Sequence, residues 1–412
     1  MDPAIGGPSP AFRAVLGGRS VRSGKYPTAV STPSMALSKG VGCTAVDATI
    51  AADGHVLEHP TAWDGLAGEH RPRVVTDERG LDHVIVADQE VFVARLGQMG
   101  TPGTDVGAPG PPVPLEAARR GAFDPVARLE DMDAEGIDAA VLYPTIGLGF
   151  WGITDRAAAV SVARAYNDWL AAYCAAAPDR LFGAAMVPFQ DPAAAVAELR
   201  RAREELGFVA AFVRPNPCLG RTLVDPANEP FWDAAEALGV AVAVHEGLQM
   251  AVPPLGSDRH PTNVLVLHAI SHTLEQMLAC AQVIGLGVLE RHPGLRVVFL
   301  EAGGGWAPYW LARLDHQVPS YHRYAPDLSL LPSEYFARQC WVSFEIDEVT
   351  LPVLVPFIGA ERVVWGSDYP HADSTFPGAV KELHETIAPL PEETRRRILG
   401  ANAAALYGLS DL

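Results

Sequence analysis

The sequence predicts an α/β protein built on an eight-stranded (β/α)8 barrel, the TIM barrel. Eight short runs of β-branched and other apolar residues alternate along the chain with longer stretches of helical period. The runs are near-continuously hydrophobic, which is typical of parallel strands covered on both faces. The alternative is a doubly wound open sheet, which favours a dinucleotide fingerprint after the first strand. The nearest glycine run, Gly303–Gly305, follows the sixth strand and lacks the third glycine, so the barrel is favoured.

The predicted strands and helices follow one another from Ala45 onward. The strands are Ala45–Ala52, Ile137–Tyr143, Leu181–Val187, Phe208–Val213, Val240–Val244, Arg296–Leu300, Cys340–Phe344 and Arg362–Trp365. Three of the intervening helices have clear start signals. Asp155–Ala176 follows Thr154 as a cap, and Pro192–Leu206 follows Asp191 with proline at the first helical position. Glu229–Leu238 is predicted by the same kind of start signal. A further amphipathic helix from Arg128 ends at Gly136.

Two segments rich in glycine and proline interrupt this alternation. Residues 1–44 have neither helical nor strand periodicity and are predicted to be a flexible N-terminal extension, which leaves 45–412 for the barrel. An insertion after the first strand covers approximately residues 60–125. It contains the stretch Gly97–Glu116, which is either a lid over the site or a solvated loop.

The composition excludes several classes of partner. The chain has 31 Lys and Arg against 49 Asp and Glu, a net charge of −18, which argues against binding to the phosphate backbone of nucleic acid. No apolar run approaches the roughly 18 residues that span a bilayer, so no membrane partner is predicted. The five cysteines are odd in number and form no CxxC pair, which indicates reduced thiols and a cytoplasmic protein.

Polar residues that bind metals or move protons follow several predicted strands. Asp53 and His55 follow the first strand, His245 the fifth and Asp368 the eighth. The chemistry of such barrels lies at the carboxyl ends of the strands, and residues two apart on a strand share a face. We therefore predict one site with two imidazoles and two carboxylates. This ligand set suits a single divalent ion, with Zn²⁺ preferred and Mn²⁺ as the alternative.

The same region contains a competing motif. His55, Glu58 and His59 match H-x-x-E-H, an inverted zinc-protease motif that requires a helix. Because a strand and Gly54 precede the motif and Pro60 follows it, the helix is not expected. This alternative is therefore disfavoured.

Most of the chain from about Asp47 resembles a known family. The segments that carry the resemblance are ADGHVLEHPTAW, FDPVARLEDMDAEGIDAAVLYP, AYNDWLAAYC, VAVHEG, GVLERHPGLRVVFLEAGGGWAPYWLARLD and VVWGSDYPHADSTFP. The last two are specific. They are similar to segments of the amidohydrolase-related family that includes aminocarboxymuconate-semialdehyde decarboxylase and the γ-resorcylate decarboxylases.

The resemblance implies a metal-dependent TIM barrel and a homodimer, with metal ligands at Asp53, His55, His245 and Asp368. The chain departs from the family pattern at two positions. Decarboxylases of the family commonly begin with H-x-H or E-x-H, where this chain has Asp53-x-His55. Many also have a catalytic histidine after the sixth strand, where this chain has Glu301.

Three residues are candidates for proton transfer. Asp368 is the first choice, because a carboxylate beside a metal can donate and accept a proton in turn; the alternative is a turn-capping aspartate. Glu301 is a candidate base, unless it only ties loops together. His272 is a candidate substrate or metal-site contact that shares a helix face with His268, and the pair could equally form a polar patch.

Four further residues are candidates for substrate binding, and a fifth, Phe376, for the wall of an aromatic pocket. Arg214 could anchor a substrate carboxylate or form an internal salt bridge. His371 follows Asp368 closely enough to orient it or to contact the substrate. Trp306 and Tyr369, with Phe376, could line an aromatic pocket or serve only in packing.

These observations leave three functions. We predict a non-oxidative decarboxylase of an aromatic or unsaturated small-molecule carboxylate. The alternative is a hydrolase that acts on a carbonyl substrate with metal-activated water. The third is a non-catalytic binding protein on the same barrel, which predicts the loss of at least one ligand; His55, His245 and Asp368 are all present.

Overall fold

The computed structural model describes residues 48–104, 113–247, 251–324 and 326–409. The strands are β1 Ile50–Val56, β2 Arg73–Thr76, β3 Asp82–Val86, β4 Gln89–Ala94, β5 Ala139–Pro144, β6 Leu181–Met186, β7 Ala210–Val213, β8 Ala241–His245, β9 Val297–Leu300, β10 Cys340–Phe344 and β11 Val363–Trp365. The helices are α1 Leu96–Met99, α2 Pro125–Glu135, α3 Arg156–Cys174, α4 Pro192–Glu204, α5 Glu229–Leu238, α6 Val264–Gly285, α7 Val288–Arg291, α8 Trp306–Tyr321, α9 Pro332–Gln339, α10 Leu351–Ile358, α11 Ala379–Ile387, α12 Glu392–Arg396 and α13 Asn402–Tyr407. The predicted extension, residues 1–44, lies outside these ranges.

Eight parallel strands form the barrel in the order β1-β5-β6-β7-β8-β9-β10-β11. Every residue of β1, β5 and β7–β11 is buried, because helices cover the outer face and side chains fill the interior. This burial explains the continuous apolar runs in the sequence. The predicted (β/α)8 fold is confirmed.

The barrel closes between its first and last strands through a small number of backbone hydrogen bonds. The amides of Ser367 and Asp368, just after β11, donate to the Asp53 carbonyl at 2.9 and 3.2 Å. The His55 amide donates in return to the Tyr369 carbonyl at 2.7 Å. These bonds join the residues that follow β11 directly to the part of β1 that carries Asp53 and His55. We call this junction the β1–β11 seam.

The first strand lies further along the chain than predicted. It covers Ile50–Val56 rather than Ala45–Ala52, and residues 45–47 lie outside the described ranges. The predicted end was wrong because the polar residues Asp53 and His55 belong to the strand and point into the barrel. The pairing with β5 is irregular between Ala51 and Gly54. Such a bulge commonly redirects side chains near a functional site.

The insertion after β1 contains an antiparallel sheet that the sequence analysis did not predict. Strands β2, β3 and β4 pair in that order, and both Ala87 and Asp88 in the β3–β4 turn have positive φ values, 47° and 58°. Two consecutive residues with positive φ are typical of a tight hairpin turn, in which the preferred sequence is Asn-Gly. Because this turn has Ala-Asp instead, the sequence carried no signal of a hairpin. In the segment predicted as a lid or solvated loop, α1 and the buried Leu115 are ordered parts of the fold. Residues 105–112 lie outside the described ranges.

The helix start signals are mostly where the sequence predicts them. The Asp191 side chain accepts hydrogen bonds from the amides of Ala193 and Ala194, and α4 begins at the following proline. For α3, the cap is Asp155 rather than Thr154. The Thr154 hydroxyl instead donates to Gln89 in β4, which ties the inserted sheet to the barrel.

Helix α6 is the one described helix that is long and apolar enough to cross a membrane. This criterion uses only length and composition, and a core helix of a globular protein meets it equally well. Within the most apolar window, 39% of the residues are buried inside the protein. His268, His272 and Glu275 also interrupt its apolar sequence. The predicted absence of a membrane partner stays a prediction.

Gly366 provides a test of the β1–β11 seam. A Cβ atom at this position would lie 2.7 Å from the Asp53 Cβ and 3.0 Å from the Asp53 carbonyl oxygen, so the two strands cannot keep their separation. We expect Gly366→Ala to lower the free energy of unfolding by about 1–3 kcal/mol, measured by urea denaturation. Gly285→Ala is the control, because its Cβ would meet nothing within 4 Å. Equal stability of the two variants would contradict this account of the seam.

Candidate functional site

Three predicted metal ligands meet at the carboxyl ends of the barrel strands. The Nε2 atoms of His55 and His245 lie 3.1 Å apart, and Asp53 Oδ1 lies 3.6 Å from each of them. All three residues are buried, with 0–3% of their surface exposed. Ligands in a tetrahedral site with bonds of 2.0–2.1 Å lie about 3.4 Å apart, so these separations suit a metal ion.

The hydrogen bonds of the two histidines determine which nitrogen faces the site. His55 Nδ1 donates to the Pro144 carbonyl at 2.9 Å, and His245 Nδ1 donates to the Glu246 carbonyl at 2.6 Å. Both Nε2 atoms therefore carry lone pairs that point at each other. Burial, together with the nearby His371 and His245, lowers the pKa of His55 well below 6.5, which keeps it neutral. Two ring nitrogens that face each other beside a buried carboxylate oxygen without a donor form an arrangement that fits a cation.

Asp368 completes the group from the other side of the seam. Its Oδ1 lies 3.6 Å from His55 Nε2, and Asp53 Oδ1 is buried without a hydrogen-bond donor among the described residues. Two imidazoles and two carboxylates thus converge as predicted. This donor set fits a divalent ion of the zinc or manganese class.

His371 orients Asp368 rather than facing the cavity. Its Nδ1 lies 2.7 Å from Asp368 Oδ1, and its Nε2 lies 3.1 Å from the Thr145 hydroxyl. Burial alone would lower the pKa of His371, but the Asp368 carboxylate outweighs burial and raises it. Removal from bulk water raises the pKa of Asp368, and His371 opposes that rise. With both ring nitrogens occupied, His371 is not placed to bind substrate. Thr145, which follows β5, carried no signal in the sequence.

Glu301 and His272 lie beside the metal ligands. Glu301 Oε2 is 3.2 Å from His245 Nε2, and Glu301 Oε1 is 3.7 Å from His272 Nε2. Burial and the carboxylates of Asp368 and Asp53 raise the pKa of Glu301 well above its usual value. Burial also lowers the pKa of His272 well below 6.5, so this imidazole is neutral. Both residues are therefore close to the metal ligands, and their catalytic roles stay predictions.

The buried amide of Gln276 connects the strands that carry His245 and Glu301. Its Nε2 donates to the Val244 carbonyl at 2.8 Å and to the Leu300 carbonyl at 2.9 Å. These carbonyls immediately precede the two site residues. Sequence analysis missed Gln276, although its position four residues after His272 on α6 predicts the same helix face.

The site opens into a cavity of about 430 Å³ with a strongly acidic lining. Six carboxylates contribute to its wall: Glu301, Glu345, Asp347, Glu348, Asp368 and Asp373. Among the described residues, no lysine or arginine lines it. Of the four predicted substrate-binding residues, none lines this cavity.

Arg214 forms the internal salt bridge that the sequence analysis left open. It is fully buried, and its guanidinium lies 3.1 Å from Glu246 Oε1 and donates to the carbonyls of Leu148 and Gly247. Burial raises the pKa of Glu246 to about 7, which the positive charge of Arg214 opposes. The substrate-anchor interpretation is corrected, because no face of this guanidinium is open to a substrate.

Trp306 and Tyr369 are packing residues rather than pocket aromatics. Trp306 packs at right angles against Phe299 on the outer side of β9, with 5.7 Å between ring centroids. The Tyr369 ring covers the guanidinium of Arg128 at 4.4 Å and its hydroxyl donates to Asp131. Phe376 packs on Tyr369 on the same side. These contacts do not support the predicted substrate contacts of Trp306 and Tyr369, and neither ring lines the acidic cavity.

The H-x-x-E-H alternative is also excluded by geometry. His55 lies on a strand, and the Glu58 carboxylate accepts hydrogen bonds from the amides of Ile146 and Gly147, both at 2.8 Å. His59 contacts Thr61 instead. Glu58 therefore holds the loop after β5 and does not face the two histidines of the motif.

Arg214 provides a stability test. Arg214→Met leaves the Glu246 carboxylate buried without its partner, and we expect the free energy of unfolding to fall by about 3–5 kcal/mol in guanidinium denaturation. Arg73→Met is the control, because the Arg73–Asp88 pair is exposed and we expect little change. Unchanged stability of Arg214→Met together with a raised KM would restore the substrate-anchor interpretation.

Comparison with known proteins places the chain in a family. The amidohydrolase family profile matches residues 50–409. The chain is 31% identical over 295 residues to 2-amino-3-carboxymuconate-6-semialdehyde decarboxylase of Dictyostelium discoideum, with 70% of this chain and 77% of that protein covered. It is 31% identical over 306 residues to γ-resorcylate decarboxylase of Rhodococcus jostii, with 68% and 87% covered.

A solved structure has the same fold. It is dihydroxybenzoic acid decarboxylase of Polaromonas sp., with bound manganese and the inhibitor 2-nitroresorcinol. The TM-score is 0.63 at 22% identity, with 89% of this chain and 98% of that chain covered. The family resemblance in the sequence is confirmed, and the chain belongs to the amidohydrolase family.

Proposed function

We propose that the protein is a metal-dependent, non-oxidative decarboxylase of a small aromatic or unsaturated carboxylate. The observation that carries the proposal is the convergence of Asp53, His55, His245 and Asp368 at the barrel mouth. The two curated relatives at 31% identity are both decarboxylases of small carboxylates, which supports this reaction class. The 430 Å³ cavity beside the four residues has the volume of a small-molecule site.

These four residues would hold one divalent cation. When bound, the cation supplies positive charge that attracts and orients the substrate carboxylate or a neighbouring oxygen. Zinc, the metal preferred from the sequence, stays a prediction. The solved decarboxylase of similar fold holds manganese, and a set of two imidazoles and two carboxylates accepts either ion. Reconstitution of the metal-free protein with Zn²⁺ or with Mn²⁺ would show which ion the site prefers.

Asp368 and His371 would supply the proton that decarboxylation needs. When the carbon–carboxylate bond breaks, its electron pair stays on the ring or vinylic carbon, and a proton must replace carbon dioxide there. Asp368 lines the cavity, and Nδ1 of the buried His371 lies 2.7 Å from its Oδ1. The other ring nitrogen of His371 contacts the Thr145 hydroxyl. The 2.7 Å contact lets the pair share a proton, and Asp368 can deliver it to the cavity that it lines.

A hydrolase is the second candidate, and one observation favours it. Glu301 stands where the family resemblance leads us to expect a catalytic histidine in many decarboxylases. Its carboxylate is 3.2 Å from His245 Nε2, where it could take a proton from water during attack on a carbonyl. Both reactions use the same residues, so isotope labelling is required to distinguish them.

The reaction class is tested by turnover in labelled water. Metal-loaded protein is screened against aromatic hydroxy- and amino-carboxylates in D₂O. We expect release of carbon dioxide and one deuterium at the carbon that lost the carboxylate, read by NMR and mass spectrometry. Incorporation of ¹⁸O from H₂¹⁸O without carbon dioxide release would reject decarboxylation and support the hydrolase.

The roles of the site residues are tested by two substitutions. His245→Ala should lose bound metal, because it removes a central imidazole. Asp368→Asn should keep most of the metal and lower kcat by about 10²–10⁴-fold, the usual contribution of a proton-transfer group. Metal content is measured by elemental analysis and turnover by carbon dioxide release. Full activity of Asp368→Asn would contradict the proton-transfer assignment.

We also propose a homodimer that buries an apolar surface on α6, α8 and α10. Leu274 and Leu278 on α6, Tyr309 on α8, and Val353 and Phe357 on α10 are each 41–67% exposed. Helix α8 packs against both α6 and α10. Exposed apolar surface of this kind commonly marks a protein interface. A cytoplasmic location and the absence of a nucleic-acid partner stay predictions.

The oligomer is tested by introducing charge into this surface. Leu278→Glu should shift the molar mass from that of a dimer toward that of a monomer, measured by light scattering after size exclusion. Val126→Glu is the control, since Val126 is 60% exposed on α2, away from the three helices. A wild-type protein that is monomeric throughout would refute the dimer.

A further inference from the structure

A second group of metal-ligating side chains lies on the far side of Glu301. Ligand atoms of His268, His272 and Glu301 lie within 4.8 Å of one another. Glu301 belongs to both neighbourhoods, because its Oε2 faces His245 and its Oε1 faces His272. The two histidines come from α6 and take no part in the group around Asp53.

The orientation of His272 matches that of the two histidines in the first group. Its Nδ1 lies 3.1 Å from the His268 carbonyl oxygen, which can only accept, so Nδ1 carries the proton. Nε2 therefore carries a lone pair, and it lies 3.7 Å from Glu301 Oε1. His272 is only 4% exposed. In this respect His272 resembles His55 and His245. Histidines that bind metal usually donate their other ring N–H to a carbonyl or carboxylate, which fixes the tautomer in this way.

His268 lies one helical turn before His272 and extends the group toward solvent. The two rings stack nearly parallel, with centroids 3.9 Å apart and an angle of 18°. His268 is exposed at the cavity edge, where an ion could enter. Two imidazoles on one side and a carboxylate on the other thus surround a point on the cavity wall.

The charge of the cavity favours a cation at this position. The six carboxylates in its wall are not matched by any lysine or arginine among the described lining residues. Only one of these six carboxylates, Asp368, belongs to the first group. Glu301 Oε2 is also buried without a hydrogen-bond donor among the described residues. The cavity can therefore accept a second positive charge.

We propose that His268, His272 and Glu301 form a second divalent-cation site, with the Glu301 carboxylate bridging it to the first. The inference rests on the proposed metal centre at Asp53, His55, His245 and Asp368. Two imidazole nitrogens and one carboxylate favour zinc, manganese or cobalt over magnesium and calcium, which prefer oxygen ligands. The site is thus a transition-metal site that shares the cavity with the substrate.

Metal stoichiometry tests the proposal without reference to activity. Metal-free protein is dialysed against Mn²⁺ and analysed for bound metal, and electron paramagnetic resonance is recorded for spin coupling between neighbouring ions. We expect two equivalents and a coupled signal for the wild type. The double variant His268→Gln with His272→Gln should bind one equivalent and give the signal of an isolated ion. His316→Gln is the matched control, because this exposed histidine on α8 lies outside the cavity lining.

A single substitution at the surface covers the case in which the double variant fails to fold. His268→Gln changes an exposed side chain, and it should weaken the second equivalent by at least about tenfold while the first is unchanged. One equivalent in the wild type at metal concentrations well above those that fill the first site would overturn the second site alone. Two equivalents in the double variant would also overturn it. If the wild type bound no metal at all, the proposed metal centre itself would be refuted.

Discussion

The hydrogen bonds of the β1–β11 seam are the constraint on which the site depends. The Asp53 carbonyl accepts the amides of Ser367 and Asp368, and the His55 amide donates to the Tyr369 carbonyl. Asp53 and His55 therefore contribute side chains to the site while their backbone atoms hold the segment that carries Asp368. Arg128 reinforces the seam from α2, since its guanidinium donates to the His55 carbonyl at 2.8 Å and lies under the Tyr369 ring. Residues more than 300 positions apart are thus brought within ligand distance by the closure of the barrel itself.

The two carboxylates that flank the histidines share an unusual backbone conformation. Glu301 and Asp368 have φ values of 52° and 49°, in the left-handed region that non-glycine residues rarely adopt. Such residues persist where the surroundings determine their conformation, and they occur frequently at functional sites. Here the surroundings are visible: the Glu301 amide is held by the Ser343 hydroxyl at 3.1 Å, and the Asp368 amide by the Asp53 carbonyl at 3.2 Å. The backbone turns at both strand ends and directs each carboxylate back toward the histidines.

The sequence was sufficient for the barrel and for the residues that meet in the site, but not for the direction of every side chain. Parallel strands are buried on both faces, so their apolar runs are evident, and residues at their carboxyl ends must lie near one another. Asp53, His55, His245 and Asp368 follow from that geometry. Arg214 and Tyr369 also lie at strand ends, yet their side chains turn toward Glu246 and Asp131, partners that are distant in sequence. Position at a strand end therefore predicts proximity to the site, whereas the choice between cavity and core depends on partners that only the folded structure reveals.

Part of the net charge of −18 is concentrated in the acidic cavity, where it bears on substrate binding. The wall of the cavity contains six carboxyl groups and no lysine or arginine among the described lining residues, which is unfavourable for a carboxylate substrate. The side chains that would ordinarily attract it are absent from that lining, and Arg214 is committed to Glu246. Attraction must then come from bound cations, which are the largest local charges in such a site. The proposed carboxylate substrate would therefore bind only after the proposed cations, because Asp368 and Glu301, which would hold them, lie in the acidic wall of the cavity.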